Sequence, residues 1–330
     1  MIGEPQGIVL PAIAATYFPP SGGKYEVKPG LMPLEKDFGN GAADGLIFQF
    51  DAEWARYRQT KKRARAERLG KYYQTREFAP EVAGPVCRFI ARRLSEEHPE
   101  LFTLEEGSGE LALACGLSGE TLRFDPEMRR VAGGDAQPPY ADPFDALAAQ
   151  MQEDLAVVRR VEGKDWASAI HLCFPYRWTA EEKIGLDYVT MHQPVPGMEP
   201  FRKPGMVTNM VKHGPLVRFV WELTTDARLN HHPELPPGTD PKEWRAHPFD
   251  PRAPRLFLRV EREVFWSFPD QEAALMAVRT SFRDGEEIRK EAKLREPLCA
   301  AIESMSPEAL RYKGLAESRD DILAWLRSGA

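Results

Sequence analysis

Cysteine is scarce in this chain and poorly spaced for metal chemistry. Cys87, Cys115, Cys173 and Cys299 are the four present in 330 residues, and no two of them form a CxxC pair. That spacing argues against a structural zinc or an iron–sulfur cluster held by this chain alone. Reduced, mostly buried thiols are expected, as in a cytoplasmic protein. Long apolar runs are also missing. None approaches the roughly 18–20 residues that cross a bilayer, and no basic start followed by an apolar core marks a secretory signal. No membrane partner is therefore expected. Positive charge is not in excess: the net charge is -6, which gives no electrostatic reason to expect nucleic acid. The GxGxxG, Walker, GxSxG and HExxH patterns are absent, so the common nucleotide, hydrolase and zinc-protease signatures do not apply. There is no internal repeat and no low-complexity tract.

What is present is an ordinary globular composition, 42% hydrophobic and 28% charged, long enough to bury a sizeable core. Residues 1–50 are rich in Pro and Gly and read as irregular chain that stays ordered only by wrapping a core built by the rest. Residues 51–76 predict a surface helix with Asp51 as N-cap, and Lys61, Lys62, Arg63 and Arg65 on its solvated face. A second helix is expected over 81–97, with Pro99 beyond its end. Leu111–Cys115 and Thr121–Phe124 read as a small antiparallel element. Residues 133–143 form a loop. From Pro143 to Val161 an apolar stripe of Phe144, Leu147, Met151, Leu155 and Val158 predicts a helix capped by Asp142.

Four strands then follow: Ala169–Phe174, Leu216–Leu223, Leu256–Phe268 and Ala273–Phe282. In the third, Leu256, Leu258, Val260, Val264, Trp266 and Phe268 share one face, and Phe257, Arg259, Glu261, Glu263 and Phe265 share the other. Only Pro269–Gln271 separates the last two strands, so a hairpin is expected. With Phe268 opposite Glu272, Glu261 would face Arg279, a favourable cross-strand pair of ~0.2–1 kcal/mol. A bulge would shift that register. Helices are expected again at 296–304, 307–312 and 318–327. Helices, a strand cluster and helices, without βαβ alternation, predict an α+β fold with a mostly antiparallel sheet and helical additions at both ends.

The chemistry lies with histidines and one charged strand face. His192 sits in Met191-His-Gln-Pro-Val-Pro196, where two prolines fix the neighbouring backbone. That rigidity suits a metal or haem ligand. It equally suits a histidine at a helix end with prolines as a stop signal, and from spacing alone this second account is the stronger. His171 shares a strand face with Cys173, but two ligands make no metal site, and a buried, hydrogen-bonded histidine is expected. His231 and His232, in a Pro-rich loop with His247 beyond, are expected to be exposed. His98 and His213 have no special context. Arg259, Glu261, Glu263 and Arg279 fit either a solvated sheet face or a polar pocket wall, with arginines for carboxylates and glutamates for an amine.

Several phrases in order carry a resemblance: Gly30-Leu-Met-Pro-Leu34, Gln152-Glu-Asp-Leu155, Phe174-Pro-Tyr-Arg-Trp178, Glu182-Lys-Ile-Gly185, His192-Gln-Pro-Val-Pro196, Leu258-Arg-Val-Glu-Arg262, Val278-Arg-Thr280 and Tyr312-Lys-Gly-Leu315. The set, over about residues 25–325, resembles the haem-dependent oxidative N-demethylase alpha-subunit-like family. The resemblance implies a PAS-like sheet as one domain over 1–330: an irregular and helical part (1–165), the main strand cluster (166–285) and C-terminal helices (286–330). It implies a haem b, with His192 as axial ligand to the iron and His171 as the weaker alternative. Lys183, Trp221 and Arg279 are the other cofactor-binding candidates, and Glu261 and Arg259 the catalytic pocket candidates. The implied activity is a monooxygenase-type oxidative demethylation of a small secondary amine. It would use O2 and electrons from a separate reductase protein carrying FMN and 2Fe-2S, and would release formaldehyde. The competing expectation is a non-catalytic PAS-like protein that binds or senses haem or a small ligand. The chain departs from the family pattern at Tyr176 (usually Ser), Val220 (usually Asn) and Glu263 (usually Gln).

Overall fold

A computed structural model describes residues 8–134, 136–203, 205–245 and 247–329. In chain order the elements are β1 (Met32–Pro33), α1 (Trp54–Tyr72), β2 (Tyr73–Thr75), α2 (Pro80–Glu97), β3 (Phe102–Glu106), β4 (Leu111–Cys115), β5 (Glu120–Phe124) and β6 (Val131–Ala132). Next come α3 (Pro143–Ala148), β7 (Glu153–Val161), β8 (Lys164–His171), α4 (Ala180–Lys183), α5 (Tyr188–Met191), α6 (Met206–His213), β9 (Leu216–Thr224) and α7 (Pro241–Trp244). The chain closes with β10 (Phe257–Phe268), β11 (Ala273–Asp284), α8 (Gly285–Lys290), α9 (Ala292–Glu303), α10 (Pro307–Tyr312) and α11 (Arg319–Arg327).

Seven strands form one sheet in the order β1-β9-β10-β11-β7-β8-β2, every pair antiparallel. A second sheet, β3-β4-β5-β6, lies to one side. The α+β, antiparallel expectation therefore holds. Among the described residues no helix is long and apolar enough to cross a membrane, and all four cysteines are free and buried.

Rows of directly paired residues define the two faces of the large sheet. The row Val217, Val264, Ala277 and Leu155 packs with α2, α3 and the small sheet in one core. Trp221, Leu223, Leu258 and Val260 on that same face pack against α8, α9, α10 and α11. The alternation expected of the third strand is thus realised, with one buried exception. Arg262 stands in the apolar face, 2% exposed. It donates to the carbonyls of Asp44 (3.0 Å) and Leu46 (2.6 Å). A buried guanidinium needs such partners, and here the irregular N-terminal segment supplies them. The wrapping expected of residues 1–50 is visible in buried Tyr17, Leu34, Ile47, Phe48 and Phe50.

Several expectations are corrected. Pro143–Val161 is not one helix: α3 ends at Ala148, and Glu153–Val161 is a central strand between β8 and β11. The apolar run within it, Leu155–Val158, is too short for periodicity to tell strand from helix. Asp142 does cap α3, accepting from Asp145 N at 2.9 Å. The sheet also recruits β1, β2, all of β7 and the start of β8 from before residue 166, so the strand cluster is not confined to 166–285. The strand expected at 169–174 ends at His171.

The β10–β11 hairpin forms, but its register differs by one. Phe268 pairs with Ala273, so Glu261 faces Thr280, and Arg279 faces Arg262. The turn takes an extra residue because Pro269–Gln271 forms a 3-10 turn closed by Glu272 at φ 50°. A one-residue slip moves a side chain to the opposite face.

Asp51 is not the N-cap of α1; Glu53 is. Its carboxylate instead meets Arg279 at 2.6 Å and accepts from Gln152 Nε2 at 2.9 Å. Lys62 and Arg63 are solvated, but Lys61 and Arg65 are buried. Lys61 donates to the carbonyls of Ala148 and Glu153, and Arg65 makes a bidentate pair with Asp145 at 2.9 and 2.8 Å. Arg279→Met should cost about 3–5 kcal/mol, because it leaves Asp51 charged and buried. Adding Asp51→Asn should recover part of the loss, read as urea midpoints of the three proteins.

Candidate functional site

The second face of the large sheet is built differently. Its rows are Arg218–Glu263–Val278, Val220–Glu261–Thr280 and Glu222–Arg259–Phe282. Apolar clusters cover its two ends. One gathers Tyr188, Met198, Val207, Met210 and Val211 from α5, α6 and their loop around Phe265 and Ala274. The other gathers Tyr57, Tyr72, Cys173, Phe174 and Leu229 beside Phe282. Between them the face is charged and less covered: Arg218, Val220, Glu261 and Val278 are half-buried.

Each carboxylate on this stretch has a cation. Arg218 holds Glu263, with Nε to Oε2 at 2.6 Å. Lys313 holds Glu222 at 2.6 Å and also donates to the Trp221 carbonyl at 3.0 Å. Arg259, fully buried, donates Nη1 to Glu261 Oε1, and Nη2 to the Phe174 carbonyl at 2.7 Å. The pairs are not equivalent. Arg218 reaches both oxygens of Glu263, at 2.6 and 3.3 Å. Arg259 meets one oxygen of Glu261, whose side chain keeps 20% exposure. Glu261 Oε2 has no partner among the described residues.

His192 is delivered to this region by a short, tightly tied turn. Asp187 caps α5, accepting from Thr190 N (3.0 Å) and Thr190 Oγ1 (2.6 Å). Arg202 then clamps the proline segment, donating to the carbonyls of Gln193 (2.6 Å) and Val195 (3.1 Å). Lys183 donates to the Met191 carbonyl at 2.9 Å, one residue before His192. The Tyr188 ring lies 4.3 Å from the imidazole, tilted by 38°. His192 Nδ1 is 2.8 Å from the Tyr188 carbonyl. A carbonyl only accepts, so Nδ1 carries the proton and Nε2 presents its lone pair, with no partner among the described residues. Burial lowers the pKa of His192 to about 4, against the raising effect of that hydrogen bond and with further lowering by Arg218, Lys183 and Arg202. The ring is therefore neutral near pH 7.

His171 is placed otherwise. It is fully buried, with Nε2 at 3.1 Å from Asp145 Oδ1 and Nδ1 at 3.9 Å from Cys173 Sγ. Against burial, hydrogen bonds from His171 and Arg65 hold the Asp145 carboxyl well below its usual range. The buried, hydrogen-bonded histidine expected from sequence is what is found. Asp154 joins His171 and Cys173 as a third potential metal donor, all within 4.8 Å of one another. Its carboxylate already accepts from Cys173 N (2.9 Å) and Phe174 N (2.7 Å), and burial raises its pKa against the lowering effect of Lys61. These hydrogen bonds fix the 173–174 backbone.

Of the residues singled out from sequence, the structure brings Arg259, Glu261 and Glu263 onto one face, and the charges of Arg218, on that face, and of Lys183 both act on His192. It does not bring Trp221 or Arg279 there. Trp221 packs on the other face, edge-on to Tyr25 at 5.8 Å. Arg279 is tied to Asp51, with its guanidinium over the Tyr57 ring at 4.2 Å. His231 and His232 are buried rather than exposed. His231 lies 3.1 Å from Asp226 and edge-on to Tyr176 at 5.3 Å. The Tyr176 ring in turn faces the Arg259 guanidinium at 5.1 Å. Arg218 and Tyr188 were not anticipated. The signal for Arg218 was present in Leu216–Leu223, where 218 and 222 alone are charged and fall on one side.

The depressed pKa of His192 has a sign that can be checked. The unfolded chain takes up this proton below about pH 6.5, before the folded chain does at about 4. This histidine therefore contributes nothing above that window and lowers stability as pH falls through it. His192→Gln should flatten the stability loss of the haem-free protein between pH 6.5 and 4, measured as urea midpoints across that range.

The family described as haem-dependent oxidative N-demethylase, alpha subunit-like, matches residues 43–323, which include α5, the His192 turn, β9, β10 and β11. With that match spanning most of its length, the chain belongs to the haem-dependent oxidative N-demethylase alpha-subunit-like family.

Proposed function

We propose that this protein binds haem b through His192 and oxidatively demethylates a small secondary amine. The observation that carries the reading is the state of His192. Its imidazole is neutral, its Nδ1–H is held by the Tyr188 carbonyl, and its Nε2 is free of protein partners. A ligating histidine needs that tautomer and that orienting bond. His171 fits poorly, because both ring nitrogens are engaged and no surface is exposed. The half-buried valines at 220 and 278 offer the face an apolar component beside its charges.

The bound haem would supply iron redox chemistry toward O2. In the overall change, a methylated secondary amine, O2, two electrons and two protons give the demethylated amine, formaldehyde and water. The electrons would come from a separate reductase protein carrying FMN and 2Fe-2S, in the cytoplasm. The chain's own residues bind and orient. Glu261 Oε2 receives the substrate ammonium and can accept its proton, so that the amine reacts neutral. Arg259 aims Glu261 and is itself fixed by the Phe174 carbonyl. Val220 and Thr280, opposite Glu261 on either side, form the wall met by the substrate's methyl groups. Lys183 and Arg202 fix the backbone on the two sides of His192.

The PAS-like reading, as one domain over 1–330, is supported by five successive antiparallel strands, β7 to β11. The first and last are neighbours at the centre, and α4 to α6 are inserted before β9. The haem-loaded protein, supplied with reductant and O2, should release formaldehyde from dimethylamine. Glu261→Gln should raise KM for the amine at least about tenfold, the loss of roughly 1.4 kcal/mol of charge-assisted binding. Haem-loaded protein that turns over no small secondary amine would contradict the catalytic reading and favour a binding or sensing role.

A further inference from the structure

A cavity of about 380 Å³ lies outside the site described above, at the C-terminal end of β9. Its floor is apolar, made by Leu223, Phe249, Leu315 and Ile322, and one wall is formed by Tyr176 and Arg177. This volume is within the range of small-molecule sites, which combine an apolar lining with a few placed polar groups.

The wall is specifically built. Arg177 is a non-glycine residue at φ 65°, a conformation that costs of order 1–3 kcal/mol and persists only where surroundings impose it. Its guanidinium donates Nη1 to the Tyr312 carbonyl at 3.2 Å and lies 5.0 Å from the Tyr176 ring. Gly314, at φ 68°, makes room for it: a Cβ there would stand 2.6 Å from Arg177 Nη2. One hydrogen bond leaves most of the guanidinium fork unused. The Tyr176 hydroxyl has no partner among the described residues. Arg311 also lines the cavity, but Glu308 holds it at 3.1 Å. Glu317, the one acid in the lining, is exposed to water, as are Arg177 and Arg311.

We propose that this cavity binds a small carboxylic acid with an apolar body. The carboxylate is met by the free edge of the Arg177 guanidinium and by the Tyr176 hydroxyl. The apolar part rests on Leu223, Phe249, Leu315 and Ile322. A single available fork suits a monoanion held in bidentate fashion, and the apolar floor excludes a purely inorganic anion as the preferred ligand. Tyr176 also faces Arg259, so the ligand would share a wall with the amine site. The proposal does not depend on the function of that site.

The test uses the full chain and three isosteric probes, phenylacetate, 2-phenylethanol and phenethylamine, titrated by calorimetry. Phenylacetate should bind saturably and at least about tenfold more tightly than the alcohol, with the amine weakest. Arg177→Gly is the informative variant, because glycine accepts the positive φ without strain. It should keep the thermal midpoint of the parent and lose phenylacetate binding at least about tenfold. Tyr176→Phe should weaken binding less. Equal binding of acid and alcohol, no saturable binding of phenylacetate up to its solubility, or unchanged affinity in Arg177→Gly would each overturn the proposal.

Discussion

Three guanidinium groups buried in one hairpin constrain the whole molecule. Arg259, Arg262 and Arg279 lie at most 4% exposed at the centre of β10 and β11. Charges so placed are tolerated only with partners of good geometry, and each recruits a different segment. Arg262 binds carbonyls of the irregular N-terminal stretch. Arg279 binds Asp51 just ahead of α1. Arg259 binds the Phe174 carbonyl and Glu261. The neighbouring strand answers from the other side. Gln152, Glu153 and Asp154 each accept main-chain N–H groups, those of Asp51, of Gln49 and of Cys173 and Phe174 respectively. The pieces without regular structure are thereby fixed to the sheet by side chains, since they have no ladder of their own.

The charged face of the sheet inherits its order from this arrangement. Asp154 sets the Phe174 backbone, Phe174 sets Arg259, and Arg259 sets Glu261. Glu261 differs from its neighbours in the exposure of its unpaired oxygen. Glu263 is closed by Arg218, and Glu222 is held by Lys313 through one oxygen with the other buried and unpaired, whereas Glu261 keeps an oxygen free on a side chain that is 20% exposed. His192 also has one nitrogen bound and one free, a trait it shares with His232, whose Nδ1 meets the Glu234 backbone and whose Nε2 is buried without a partner. The free atoms of Glu261 and His192 belong to elements whose backbones are otherwise fully tied, which is the condition for a preorganised site.

Much of this was legible in the sequence. The period-2 alternation of Leu256–Phe268 and the three-residue Pro-Asp-Gln link gave the central hairpin and its faces correctly. The one-residue error in its register came from Glu272, whose positive φ leaves no mark in the side-chain pattern. Glu153–Val161 was mistaken for helix because its apolar run, Leu155–Val158, is too short for periodicity to tell strand from helix. The burial of Lys61 and Arg65 was hidden for a related reason: their partners are backbone carbonyls and an acid distant in sequence, and local polarity says nothing about those. His192 drew notice through its prolines, but the feature that separates it from His171 is that one of its ring nitrogens is free, whereas both of His171's are engaged. That depends on Tyr188, Asp145 and Cys173 in three dimensions.

The central claim is that His192 Nε2 is the haem-binding atom. The most direct measurement is titration of the purified haem-free protein with haemin, followed in the Soret region, for the parent, His192→Gly and His171→Gln. The account predicts a single saturating site in the parent and an unchanged spectrum in His171→Gln. It predicts an altered or lost band in His192→Gly that added imidazole restores. A parental spectrum and stoichiometry in His192→Gly, or loss of the band in His171→Gln with its fold intact, would contradict it.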